Sequence, residues 1–363
     1  MRAAGLVTCP TCGEATAVTG RYCEACGGEL AAGSAGSAAP QPWAGGPADA
    51  RTLDGAPCPS CGAAPDAIDG YCSHCGMKQP DPSDHREVDL GSIAAVTDRG
   101  LVHGRNEDAF AIARVERPDG IVRILVVCDG VSSTSDSHLA ARGAVRAACD
   151  RLEQIIRAAP EMVDEALART ALGMAVADAQ AAVRRVPPSG GENPSCTFVA
   201  TIAADRPPPS TDPDSAPGSA PYSSSHDVLV VTGWLGDSRA YLLPDDDLVP
   251  LSIDDSWATD EIGAGMDPAA AYADNRAHSI TRWLGADATD VEPRISVHLV
   301  PAAGRVLLCS DGLWNYAAEV AELRAVIDPR RPLGPLALAQ SLTNFARDAG
   351  GHDNITVAVA TLG

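Results

Sequence analysis

The chain has 363 residues, a formal net charge of −21, a pI near 4.6 and only 4% aromatic residues. That length accommodates one large domain plus smaller modules, and the acidity speaks against a general nucleic-acid or anionic-membrane binder. With so few aromatic residues, the core is expected to rest on Ala, Val, Leu and Ile. Met1 to Val7 is too short an apolar run for a signal peptide and is broken by Cys9. No apolar stretch approaches the roughly 18 residues of a spanning helix. A cytoplasmic protein is expected, with Cys128, Cys149, Cys196 and Cys309 as reduced, buried thiols.

The chain opens with an internal repeat. Cys9-x-x-Cys12 and Cys23-x-x-Cys26 recur as Cys58-x-x-Cys61 and Cys72-x-x-Cys75 with the same spacer, and Cys-Pro-x-Cys-Gly opens each copy. Two Cys-x-x-Cys knuckles supply four thiolates, which close a tetrahedral Zn²⁺ site and leave no open position for catalysis. Two structural Zn²⁺ ions are therefore expected, in zinc ribbons at 1–30 and 55–78. Segments this small cannot build a core, so the metal would supply the folding free energy. The alternative, disulfide-stapled minidomains, lacks a secretion signal to support it. His74 lies inside the last knuckle but is not needed, since the four-cysteine set is complete without it. Acidic residues outnumber Arg2, Arg21, Arg51 and Lys78 here, which favours protein docking or regulation over nucleic-acid binding. An Ala/Gly/Ser/Pro-rich stretch at 31–54 and a polar one at 79–90 read as linkers.

The texture of a globular domain, assigned to 91–363, begins at about Ile93. Strands are predicted at Ile121–Cys128, Thr197–Ala203, Val228–Leu235, Arg239–Leu243, Arg305–Cys309 and Ile355–Ala360. Leu139, Val145, Cys149, Leu152 and Ile156 keep helical spacing, as do Val163, Leu167, Met174 and Ala181. A shorter helix over Pro335 to Asp348 ends at Gly350-Gly351. The Pro-, Ser- and Asp-rich stretch 206–225 reads as a disordered hairpin loop.

Five carboxylate-bearing motifs punctuate this domain: Arg105-Asn106-Glu107-Asp108, Cys128-Asp129-Gly130, Gly236-Asp237-Ser238-Arg239, Ser310-Asp311-Gly312 and Asp353-Asn354-Ile355-Thr356. Three place an Asp where an apolar run gives way to a turn. Carboxylates gathered at strand ends repel one another unless something cationic sits between them, which points to a divalent metal centre with oxygen ligands. Taken singly, each Asp is also a common turn-former. For Asp237 that simpler role is expected, with Asp237 and Arg239 paired in a structural hairpin turn.

These motifs, with Asp98-Arg-Gly-Leu-Val-His-Gly-Arg-Asn-Glu-Asp108 and Ala277-His-Ser-Ile-Thr-Arg-Trp-Leu-Gly285, resemble those of the type 2C, metal-dependent (PPM) protein serine/threonine phosphatases, in the family's order. The resemblance implies an α+β, four-layer α-β-β-α sandwich of two antiparallel sheets flanked by antiparallel helices, with a metal centre at one edge. It further implies Asp108, Asp129, Asp311, Asp353 and the Gly130 carbonyl as ligands of two Mn²⁺ or Mg²⁺ ions, Glu107 as the holder of metal-bound water, and direct attack on phosphorus by a metal-bridged hydroxide. Asp254 and Asp255 precede a segment, Ser256 to Met266, that matches the family's mobile flap, where an Asp can touch a third metal. Phosphorylated proteins are the implied substrates, with a serine/threonine kinase as counterpart. The rival reading is a pseudo-phosphatase, a signalling module that binds phosphoproteins without turnover.

Three departures from the family pattern stand out. His103 occupies the position of a phosphate-gripping Arg, so either Arg105 reaches in from two residues away or phosphate binding is weaker and improves at lower pH. Ser132-Ser133 replaces a Gly-Gly pair. The acidic residue expected ahead of Ser195-Cys196-Thr197 as a third-metal ligand has Glu192 as its only nearby candidate, leaving that third site weak at best. If His103 holds phosphate, His103→Arg lowers the apparent KM; an unchanged or higher KM in steady-state assays would remove His103 from the phosphate site.

Overall fold

In a computed structural model, residues 61–63, 71–76, 81–206, 227–244, 247–327 and 333–363 are described, together with a few short strands. The chain divides into two compact units, Met1–Ala48 and Asp49–Gly363. In the first unit, strands β1 (Leu6–Thr8) and β2 (Ala15–Ala17) pair antiparallel. The second opens with the hairpin of β3 (Ala67–Ile68) and β4 (Tyr71–Cys72). The first cysteine quartet, Cys58, the linker at 31–54 and, beyond Arg206, the loop expected at 206–225 lie outside the described residues.

The large domain runs β5 (His85–Asp89), β6 (Ile93–Asp98), β7 (Ala109–Arg117), β8 (Gly120–Cys128), α1 (Ser137–Ala158), α2 (Glu165–Val183), β9 (Ser195–Cys196), β10 (Phe198–Arg206), β11 (Asp227–Leu235) and β12 (Arg239–Leu243). It continues with β13 (Val249–Pro250), α3 (Trp257–Gly263), α4 (Pro268–Tyr272), β14 (Leu284–Gly285), β15 (Arg294–Pro301), β16 (Arg305–Cys309), α5 (Asp311–Trp314), α6 (Val320–Val326), α7 (Pro335–Asp348) and β17 (Ile355–Thr361). A five-stranded sheet has the order β15-β11-β10-β8-β7, and a six-stranded sheet the order β13-β12-β16-β17-β6-β5. Every pairing in both is antiparallel.

The two-residue period of a strand explains the layering. On β8, Val122, Ile124, Val126 and Cys128 face the α1–α2 layer, while Leu125 and Val127 face the other sheet. On β16 and β17, Val306, Leu308, Ala358 and Ala360 fill the space between the sheets, and Leu307, Val357 and Val359 pack on α7 through Leu338, Leu342 and Ala346. Strands covered on both faces read as continuous apolar runs, which is why they are visible in the sequence. The result is the expected four layers. Among the described residues, no helix is long and apolar enough to cross a membrane.

Several expectations need correction. The stretch 79–90 is not wholly a linker: His85–Asp89 is the edge strand of the six-stranded sheet. Its composition hides this, because its polar groups are satisfied laterally, His85 Nδ1 by Asp98 Oδ2 (2.7 Å) and Glu87 Oε2 by Gln340 Nε2 (2.8 Å). The helical faces are only partly as expected: Val145, Cys149, Leu152 and Ile156 are buried. Leu139 and Met174 are exposed, whereas Ala140, Ala141, Ala144 and Ala148 on α1, and Ala168, Ala171, Ala175 and Ala179 on α2, are fully buried. Small side chains let the helices lie close to the sheet, so an alanine stripe shares the inner face with Val145, Cys149, Leu152 and Ile156 of α1 and Leu172 and Val176 of α2.

Away from the motif-bearing turns, Arg123 is almost fully buried and ion-paired with Asp205, whose other oxygen accepts from Ile121 N at 3.0 Å. Removing one member of a buried pair leaves the other charge uncompensated. Asp205→Ala is therefore expected to destabilise the domain by about 3 kcal/mol in urea unfolding.

Candidate metal centre

All five motifs fall at one end of the sandwich because antiparallel register brings the start of one strand beside the end of the next. Ala109 lies opposite Cys128, so Asp108 and Asp129 flank one strand pair of the five-stranded sheet. Cys309 lies opposite both Arg239 and Val357, which sets Asp237, Asp311 and Asp353 along the same edge of the six-stranded sheet. Ser310 joins the two sheets: its Oγ donates to Asp108 Oδ2 (2.7 Å) and accepts from Thr356 N (2.9 Å).

The two asparagines of the motifs are scaffolding. Asn354 Oδ1 accepts from Glu107 N (2.7 Å), while its Nδ2 donates to the carbonyls of Arg99 (2.8 Å) and Arg105 (3.1 Å). Asn106 is fully buried and donates to Thr97 Oγ1 (2.9 Å) and Ser83 O (3.1 Å). Thr197 holds the third side of the edge. Its Oγ1 accepts from Asp129 N (3.0 Å) and meets Ser238 Oγ (2.7 Å), while its N donates to Asp129 O (2.8 Å). Two glycines are required by close approach. A Cβ at Gly312 would overlap Asn354 O, and one at Gly130 would lie 2.7 Å from Glu107 O.

The carboxylates are held in place by their backbones and left short of partners. Among the described residues, Asp108 Oδ1 and Asp311 Oδ1 are buried and have no hydrogen-bond partner. Burial, and after it the neighbouring carboxylates, push Asp108 up to about 7, Asp237 up to about 8 and Asp129 well above the ordinary carboxylate range. Asp311 is raised to about 6 by burial and by Asp353. Orphaned hard oxygens converging under mutual repulsion are the donor set that Mg²⁺ or Mn²⁺ takes, and the residues fit such ions.

The remaining candidates divide. Asp237 joins the acidic cluster rather than pairing with Arg239. Arg239 lies flat on Trp314, 3.8 Å from the ring centroid, which carries its fork to Asp254 (2.9 and 2.8 Å). Trp314 Nε1 in turn donates to Asp237 O (2.9 Å). The signal for Asp237 was present in the sequence, since it too ends an apolar run, Val228–Leu235. Glu192 stays exposed on its loop, so Asp237, beside Asp311, is the better source of any further metal-binding oxygen.

Asp255 is fully buried at the root of the α3–α4 segment, paired with Arg294 (2.6 Å) and accepting from Gly236 N (3.1 Å). It therefore anchors that segment to the Gly236–Asp237 turn. His103 Nε2 lies 3.3 Å from Asp353 Oδ1, inside the acidic edge. Arg105 Nη1 lies 3.1 Å from His138 Nδ1. In the second ribbon, Cys61, Cys72 and Cys75 bring their sulfurs within 4.8 Å of one another, with Cys61 and Cys72 at 3.8 Å. That separation matches the edge of a tetrahedron with Zn–S bonds of about 2.3 Å.

Comparison with known proteins agrees with this geometry. The sequence pattern described as protein phosphatase 2C matches residues 103–345, and that described as double zinc ribbon matches residues 9–76. The chain belongs to the protein phosphatase 2C family. It is 34% identical over 127 residues to the serine/threonine protein phosphatase PstP of Mycobacterium tuberculosis, covering 35% of this chain and 24% of that one. To the protein phosphatase PhpP of Streptococcus pneumoniae it is 31% identical over 137 residues, covering 38% and 54%. The chain thus spans about a quarter to a half of the length of these relatives. In fold it is similar to the serine/threonine phosphatase of S. agalactiae (TM-score 0.55, 21% identity, 75% of this chain and 99% of that one) and to Stp1 of Staphylococcus aureus (TM-score 0.55, 20% identity, 76% and 96%).

The raised carboxylates set a pH dependence. Groups near 3.8 in the unfolded chain and at about 6 to 8 in the fold bind more protons when folded, so their contribution is present below about pH 4 and lost as pH rises through those values. In EDTA, the melting temperature of the domain is expected to fall from pH 5 to pH 8. Saturating Mn²⁺ should abolish that fall, as read by calorimetry.

Proposed function

We propose that this chain is a cytoplasmic protein phosphatase that hydrolyses phosphoserine and phosphothreonine at a binuclear Mn²⁺ or Mg²⁺ centre. The observation that carries this reading is the convergence of Asp108, Asp129, Asp311 and Asp353 at one sandwich edge, with Asp108 Oδ1 and Asp311 Oδ1 buried and unpartnered. Those four carboxylates and the Gly130 carbonyl would hold the ions. When bound, such ions neutralise a phosphomonoester dianion and lower the pKa of a coordinated water.

The chain's own residues do the positioning. Glu107, its backbone clamped by Asn354, is the group that would hold water at the centre; Ser310 fixes the orientation of Asp108; Asn106 and Asn354 keep the Arg105–Asp108 segment rigid. His103 stands against Asp353, where it would meet the substrate phosphoryl group with a single ring nitrogen instead of a guanidinium fork.

The two zinc ribbons are read as docking or regulatory modules, each built on one structural Zn²⁺. A cytosolic setting keeps their thiolates reduced. A serine/threonine kinase acting on the same phosphoproteins is the expected counterpart. The pseudo-phosphatase reading has one observation in its favour, the lack of a guanidinium at position 103.

Hydrolysis of p-nitrophenyl phosphate and of a phosphothreonine peptide decides between them. Turnover should require Mn²⁺ or Mg²⁺, vanish in EDTA and fall by about 10²–10³ or more in Asp311→Ala. Phosphopeptide binding without turnover in either metal would establish the pseudo-phosphatase instead.

A further inference from the structure

One charged feature has no part in holding metal. In a chain of net charge −21, Arg86, Arg105, Arg142 and His138 gather beside the first turn of α1. Arg105 Nη1 is 3.1 Å from His138 Nδ1. His138 and Arg142 are four residues apart on α1, hence neighbours on one face of the helix. Arg86, on edge strand β5, lies over the Phe110 ring at 5.0 Å and is the next cation along.

Asp81 and Asp84 act on Arg142, and Asp136 and Glu107 on His138, through space, yet the cations are short of direct anionic contacts. Among the described residues, no ion pair joins a carboxylate to Arg86, Arg105 or Arg142. The carboxylates around them also hydrogen-bond or pair with other groups. Asp81 takes Ser83 N (2.8 Å) and Ser83 Oγ (2.6 Å), Asp84 pairs with Arg99 (3.4 Å), and Asp136 takes Ser189 N (2.7 Å). Burial, and then like charge from Arg105 and Arg142, holds the His138 imidazole below its usual range. Cations crowded together with carboxylates nearby but none ion-paired to them are the converse of the metal edge: here a directly bound anion would relieve the repulsion.

The cluster also borders the centre. The Arg105 carbonyl is fixed by Asn354, next to Asp353, and Ser137, the residue before His138, packs against Gly130. Arg105 itself is exposed, and its guanidinium meets His138.

We propose that Arg105, His138 and Arg142, with Arg86 beyond them, form an anion subsite that takes a second acidic group of the phosphoprotein substrate, close in sequence to the phosphoryl group being hydrolysed. Guanidinium forks grip carboxylate and phosphoryl oxygens bidentately, so a Glu or a second phosphorylated residue satisfies the same geometry. The proposal rests on the phosphatase reading and deepens it into a sequence preference.

The test uses the full chain with Mn²⁺ and phosphothreonine peptides in which Glu, phosphothreonine or Gln is scanned through the flanking positions. At one position or more, kcat/KM should favour the acidic peptides over the Gln peptide by about tenfold at low salt and less at high salt. The Glu and phosphothreonine arms show which anion is preferred. Arg142→Gln and Arg86→Gln should each reduce that ratio severalfold. Equal kcat/KM for acidic and neutral peptides in the unaltered protein, or a preference that survives both substitutions, would overturn the proposal. So would a parallel fall in p-nitrophenyl phosphate turnover in Arg142→Gln, which would assign the cluster to the scissile group. Absence of any turnover sinks only the phosphatase reading, because fluorescence anisotropy of the same peptides on Asp311→Ala still reads the preference: acidic peptides binding about tenfold tighter support the subsite, and equal binding removes it.

Discussion

Negative charge confined to one edge of a buried sandwich is the constraint to which the rest of this domain answers. Asp108, Asp129, Asp237 and Asp311 are forced together by strand register, and burial with mutual repulsion raises each of them. Ordinary folding would relieve this with hydrogen-bond donors or arginines. Instead, the donors at the site, Ser310, Asn106, Asn354 and Thr197, mostly bind backbone or one another, and oxygens of Asp108 and Asp311 stay free. A rigid frame that leaves its oxygens unsatisfied is suited to hard divalent ions, whose charge removes the repulsion and whose coordination uses the lone pairs.

Two further charge arrangements surround that edge. Arg239, stacked on Trp314, grips Asp254, while Asp255 accepts from Gly236 N and pairs with Arg294 of β15, so the root of the α3–α4 segment is tied both to the Gly236–Arg239 turn and to the five-stranded sheet. On another side stands the cationic group at the start of α1, where, among the described residues, no carboxylate forms an ion pair with Arg86, Arg105 or Arg142. An acidic centre suited to cations next to a basic patch would give a phosphorylated, acidic peptide two complementary footholds. The second ribbon offers the opposite donor chemistry, with soft thiolates of Cys61, Cys72 and Cys75 drawn close together. Hard-ion and soft-ion sites in one chain need not compete for the same metal.

Much of this was legible in the residues because strong local signals coincide with it. Strands such as Arg239–Leu243 and Arg305–Cys309 are buried on both faces and so stand out as apolar runs. The edge strands His85–Asp89 and Arg294–Pro301 do not, since half-exposed positions accept polar residues. The alanine faces of α1 and α2 were equally quiet: alanine has little hydrophobic contrast, and only the closeness of helix to sheet makes it the buried residue of choice.

By itself, the order of residues determined the repeated thiolate knuckles, the strands buried on both faces and the Asp residues at their ends, because each of these depends on neighbours within a few positions. Partnership across the chain was decided only by the tertiary structure. Arg239 meets Asp254 and leaves Asp237 to the acidic edge, Ser310 reaches Asp108 from the opposite sheet, and Arg105 turns to His138. Charges interact through space at a few ångströms, and which ones come that close is set by sheet register and layer packing, which spacing along the chain does not encode.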